Sequence, residues 1–161
     1  MLEWFGAPAY GLAFFLVLTP LISIGANNWP VNLSSVRWRY DFETSLSAFV
    51  VAIAMGFLVA SVVAVGMEHR LMLRLLAVLN ILVGIAYVLT CADYMLDGLQ
   101  LRFNVDHDRL NAFELTVMRG MIIFVLGAVL AAWFGIASYR AAKRIEALRP
   151  RDTGAHPLVA I

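Results

Sequence analysis

Charge is scarce in this chain: Asp, Glu, Lys and Arg make up 14% of its 161 residues. Soluble domains carry roughly 25%, so this chain has too little polar surface to cover itself in water. With 62% hydrophobic residues and a mean hydropathy of +0.83, its natural solvent is lipid. Cysteine is almost missing as well. The single Cys91 excludes an internal disulfide, a CxxC redox pair and a multi-cysteine zinc site. The formal net charge is only +1, so no strong field draws nucleic acid. GxSxG, HExxH, P-loop and GxGxxG motifs are all absent. No catalytic residue, metal site or cofactor is therefore expected, and the chain reads as a non-enzyme.

Basic residues are also missing from the opening segment, MLEWFGAPAY. A cleavable secretory signal begins with a basic region, so the first apolar run reads as a retained span.

What is present is four apolar runs, at about residues 8–26, 45–67, 71–92 and 115–139. Each is long enough, at about 1.5 Å per residue, to cross a hydrocarbon core about 30 Å thick. In lipid the backbone must satisfy its own hydrogen bonds, so the runs are expected to be helices. Pro20 is expected to kink or end the first. The four-residue link MEHR forces the second and third into an antiparallel hairpin. The expected fold is an all-α, four-transmembrane-helix bundle in one domain, residues 1–148, followed by a flexible cytoplasmic tail, 149–161.

Lys and Arg near the helix ends set the orientation. Arg70, Arg74, Arg140, Lys143, Arg144, Arg149 and Arg151 lie on the side of the short loop and tail. Arg37, Arg39, Arg102, Arg109 and Arg119 lie on the other. The bias places both termini in the cytoplasm, in a bacterial inner membrane, with the two long connections outside.

Those connections carry the patterned stretches. In VRWRY, Val36, Trp38 and Tyr40 alternate with Arg37 and Arg39; LQLRFNV alternates similarly. Period two is the strand signal, so a small two-stranded extracytoplasmic β element is predicted. The competing reading extends the third helix through residues 93–103. Trp38 and Tyr40 suit headgroup depth, leaving Arg37 and Arg39 to meet water, phosphates or a partner. VDHD reads as a solvated turn, because adjacent residues rarely converge on one metal.

Glu43 precedes the second span, Asp93 ends the third, and Glu114 and Arg119 flank the start of the fourth. A closed bundle brings them to one outer level. They form either an ion-pair cluster fixing helix ends or a polar site open to the outside. Inside the spans, Ala52, Gly56 and Ala60, and Gly127, Ala131 and Gly135, form small-residue stripes for helix packing or for docking another subunit. Asn80 is expected to hydrogen-bond across helices.

With WPVNLSSVRWRY placed between its first two spans, the chain resembles small uncharacterised bacterial four-helix membrane proteins with a W-R-aromatic first loop. The resemblance implies no particular activity. The layout is also remotely similar to claudins, although their first-loop cysteine pair is absent. Two function classes follow. The leading one is an accessory or scaffolding subunit of a larger membrane complex, or a self-associating tetraspan. Its partners would be the lipid bilayer and a membrane protein or a second copy, with no nucleic acid. The alternative binds or transports a small molecule or lipid through the outer rim.

Overall fold

A computed structural model describes residues 2–148, with side chains from Gly6 onward; the tail expected at 149–161 lies outside them. Four helices make up the fold: α1 (Leu2–Asn27), α2 (Val36–Gly66), α3 (Arg70–Arg102) and α4 (Leu110–Leu148), with a short 3-10 turn at His107–Arg109. All four are long and apolar enough to cross a membrane, which identifies an integral membrane protein. Apolar side chains such as Val51, Val62, Leu82, Val88, Leu126 and Trp133 point outward, as lipid requires.

α2, α3 and α4 pack on one another, while α1 lies against α2 alone. The interior is divided along its length. Near the long connections, Tyr40, Val50, Tyr87, Tyr94 and Phe124 form an aromatic core. Near the α2–α3 turn, Ala64, Leu73, Leu76 and Ala142 form a smaller aliphatic one. In the aromatic core Tyr40 and Tyr94 stack at 5.1 Å, and Phe124 meets the Tyr94 ring edge at 5.8 Å.

Small residues set the closest approaches. A Cβ on Gly56 would lie 2.7 Å from Val17 Cγ2 and 3.0 Å from the Ala13 carbonyl, so this glycine is what seats α1 on α2. A Cβ on Gly127 would lie 2.6 Å from Val50, and one on Gly135 3.2 Å from the Ala77 carbonyl. Ala131 is buried with them, and Ala52 and Ala60 are half-buried. Both stripes are thus in use within the chain, where dispersion contacts replace the missing hydrophobic drive.

Two expectations need correction, and a third, at Pro20, is narrowed. The two predicted strands are absent among the described residues: Val36–Tyr40 opens α2, and Leu99–Arg102 closes α3. The local reason at Val36 is a cap. Ser35 is extended and its Oγ accepts a hydrogen bond from Trp38 N at 3.3 Å, which satisfies one of the orphan donors of a new helix. Once that helix starts, Trp38 stacks on Phe42 one turn later at 5.4 Å. The alternation of aromatic and arginine was thus a by-product of helical faces. Pro20 does not end α1, which continues to Asn27; Pro20 is buried, and prolines are tolerated in membrane helices where neighbours restore the lost contacts. Asn80, 1% exposed, donates at 2.8 Å to Leu76 O in its own helix. Ser61 and Ser138 do form a polar pair between α2 and α4, at 3.3 Å.

The α2–α3 turn is a Schellman motif. His69 N bonds Ala64 O at 2.9 Å, Glu68 N bonds Val65 O at 3.1 Å, and Glu68 sits in the left-handed region at φ 54°.

Candidate functional site at the helix rim

α2 has 31 residues and α3 has 33, about 46 and 50 Å of helix at 1.5 Å per residue. Both exceed a hydrocarbon core about 30 Å thick. The surplus turns project at the end that carries the long connections, because the charge-free run of α2 begins only at Ser45. Polar side chains on these turns therefore reach headgroup depth, where charges are tolerated.

Helical spacing arranges them. Arg39 and Glu43 stand one turn apart on α2. Thr90, Asp93 and Asp97 share one face of α3 at i, i+3 and i+7. The two faces meet. Arg39 Nε donates to Asp97 Oδ2 at 2.9 Å, and its NH2 donates to Asp97 Oδ1 at 2.6 Å. This is the two-pronged guanidinium–carboxylate geometry of strong charge-assisted bonds. The remaining prong, NH1, donates to Leu33 O at 2.9 Å. Arg39 thus ties the α1–α2 connection to α3. Trp38 adds a second tie, its Nε1 donating to Asn28 O at 2.8 Å.

Glu43 sits beside this pair. Carboxylate oxygens of Glu43, Asp93 and Asp97 lie within 4.8 Å of one another. Glu43 is only 4% exposed, and its Oε2 is buried without a hydrogen-bond partner. A shielded carboxylate oxygen left this way costs free energy that neither the helices nor Arg39 repays. Glu43 and Asp93 form the polar side of a half-open cavity of 410 Å³; Leu33, Trp38, Phe42 and Leu89 supply its apolar walls, and Arg39 and Thr90 complete it.

The ligand set is a poor one for a metal ion. Asp97 commits both oxygens to Arg39, which leaves Glu43 and Asp93. A hard divalent cation takes six or more oxygens in fixed directions. Three carboxyl groups meet one guanidinium here, and Arg39 is committed to Asp97.

No protein-family model, curated protein or solved structure matches the chain. The residues themselves must therefore carry any functional reading.

Of the rim residues expected from sequence, Glu43 and Asp93 meet. Glu114 instead pairs with Arg102 at 2.7 Å, both largely solvent-facing. Arg119 is exposed and has no ion-pair partner among the described residues. The expected interface surface also divides. Arg37 is exposed, Trp38 is half-buried, Arg39 is held by Asp97, and Tyr40 is buried against Tyr94 and Phe113. At about 100° per helical residue, Arg37 and Arg39 point well apart. Their shared outward face was an artefact of the strand reading. Asp97 escaped the sequence reading, although its i, i+4 spacing from Asp93 mirrors that of Glu43 from Arg39.

Proposed function

We propose that this protein is a non-catalytic integral membrane protein that binds a small molecule in the rim cavity between α2 and α3. One observation supports it above the others. Apolar walls and two carboxyl groups, those of Glu43 and Asp93, line one 410 Å³ cavity. Ligand sites are concave and mostly apolar, with a few placed polar groups, and this cavity has that character. Its position at a helix rim, open on one side, suits a ligand arriving from water or from the headgroup layer.

The accessory-subunit or self-associating reading takes second place. It drew on the small-residue stripes, and Gly56, Gly127 and Gly135 are occupied by contacts inside the chain. The basic residues around the α2–α3 turn and the end of α4, Arg70, Arg74, Arg140, Lys143 and Arg144, favour termini in the cytoplasm of a bacterium and an inner-membrane location. The rim cavity then opens on the periplasmic side.

The reading is tested by thermal unfolding of the detergent-solubilised protein against a panel of small amines, alcohols and carboxylates. Thr90→Phe serves as the blocked control, placing a ring in the cavity. At least one class of compound should raise the Tm of the wild type and leave Thr90→Phe unmoved. If no class stabilises the wild type, the cavity is not a binding site.

A further inference from the structure

We infer that the opposite end of the bundle carries a lipid site: a cavity between the end of α2 and α4 holds the phosphodiester of a singly charged anionic phospholipid, of the phosphatidylglycerol class. The cavity measures 420 Å³, and Arg140 and Arg144 of α4 line it. They stand one turn apart, so their side chains are neighbours. Both are exposed, and neither has an ion-pair partner among the described residues. Ala137 and Ala141 line the same face of α4, and their single methyl groups leave room between that face and Val65 at the end of α2. Ile145 completes the apolar wall, and Glu68 in the α2–α3 turn lies at the cavity as well.

Depth points to a headgroup. No charged residue occurs between Arg119 and Arg140. At 1.5 Å per residue that run spans about 30 Å, the thickness of a hydrocarbon core. Arg140 therefore stands at the hydrocarbon edge and Arg144 about 6 Å beyond it, at headgroup level. Guanidinium groups grip phosphate through paired hydrogen bonds, and basic pockets between membrane helices take anionic headgroups. Charge sets the class. Glu68 is the carboxylate that lines this cavity, while Glu146 is held by Arg74 at 2.7 Å. Two guanidinium groups against one carboxylate leave one positive charge in excess, which a single phosphodiester balances. Glu68 opposes a headgroup with further negative charge. The apolar walls at Val65, Ala137 and Ile145 take the start of an acyl chain, for which a free phosphate has no counterpart.

The test titrates the full chain in detergent micelles with single phospholipids and reads the first bound lipid by native mass spectrometry. Phosphatidylglycerol should bind roughly tenfold more tightly than phosphatidylcholine with the same chains, the scale of a charged hydrogen bond. Arg140→Gln and Arg144→Gln, both at exposed positions, should each remove most of that preference. Lys143→Gln deletes the same charge at the same level but outside the cavity, and should leave the preference intact. Ala137→Phe fills the cavity without touching a charge and should abolish the preference; Glu68→Gln should keep or strengthen it. Thr90→Phe, at the other end of the bundle, should bind phosphatidylglycerol as the wild type does, which separates this site from the rim cavity. Equal affinity for the two lipids would overturn the inference. A loss from Lys143→Gln as large as that from Arg144→Gln would mean a diffuse basic surface and overturn it too. So would tighter binding of phosphatidylethanolamine that Glu68→Gln removes, the mark of a zwitterion site. Competition by the deacylated headgroup glycerophosphoglycerol as strong as by the intact lipid would make this a site for soluble anions, again against the inference.

Discussion

Replacing Arg39 should be the most costly single change at the rim. Arg39→Ala removes two charge-assisted bonds to Asp97, at 2.9 and 2.6 Å, and a third to Leu33 O at 2.9 Å. Asp97 is 1% exposed, whereas Arg39 is 26% exposed. The two partners are therefore unequal. A carboxylate stranded at 1% exposure cannot recover its hydration, and breaking such a buried pair costs about 3–5 kcal/mol. Water can follow into the space that Arg39 vacates, so the expectation is about 3 kcal/mol, the low end of that range. Asp97→Asn strands the partly solvated guanidinium, which rehydrates, and should cost only about 1–2 kcal/mol. Arg39→Met with Asp97→Leu removes both charges and refills the volume; it should lie within about 1 kcal/mol of the wild type. The assay is reversible unfolding in mixed micelles, followed by far-UV circular dichroism as the denaturing detergent fraction rises. If Arg39→Ala costs less than about 1 kcal/mol, or if the double variant loses the sum of the two single losses, the pair does not hold the rim together.

Other sites make smaller, separable demands. Gly127→Ala should destabilise by about 1–3 kcal/mol, because its methyl would meet Val50 Cγ1 at 2.6 Å; Gly25→Ala, with nothing within 4 Å, should be neutral or slightly stabilising in the same unfolding assay. Glu68→Gly should raise stability by about 0.5–1 kcal/mol, since it relieves a non-glycine residue at φ 54° in an exposed turn; a loss there would contradict the Schellman account. Arg102→Gln should change stability by less than about 1 kcal/mol, because its pair with Glu114 is 51% and 41% exposed. A reporter active only in the periplasm, fused after Leu148, should stay silent if the proposed orientation is right.

The membrane spans were legible in the sequence because lipid tolerates little else. A run such as 45–67, with no charged residue, admits only a helix or a closed barrel, and it lacks a barrel's alternation. The helix ends were not legible. At the rim the chain returns to a polar setting, where short alternation and helical spacing compete over five to eight residues. Both patterns can be drawn through Val36–Glu43. What decided between them was Ser35 as an N-cap and the aromatic stacking of Trp38 on Phe42, which five alternating residues do not announce. That choice then hid the site. Arg39 and Glu43, or Asp93 and Asp97, read as one face only when both segments are helical. Asp97 looked like a loop residue until α3 was seen to run to Arg102. Asn80 shows the complementary limit. Its burial followed from its place in an apolar run, but its partner, Leu76 O in its own helix, depends on a rotamer no spacing encodes.

The rim cavity should hold a small molecule. Native mass spectrometry of the wild type and Thr90→Phe, released from membranes in parallel, tests this most directly. The wild type should carry an added small-molecule mass that collisional activation strips off, and Thr90→Phe should fly bare. Two bare proteins, or the same adduct on both, would contradict the assignment of the cavity as a binding site.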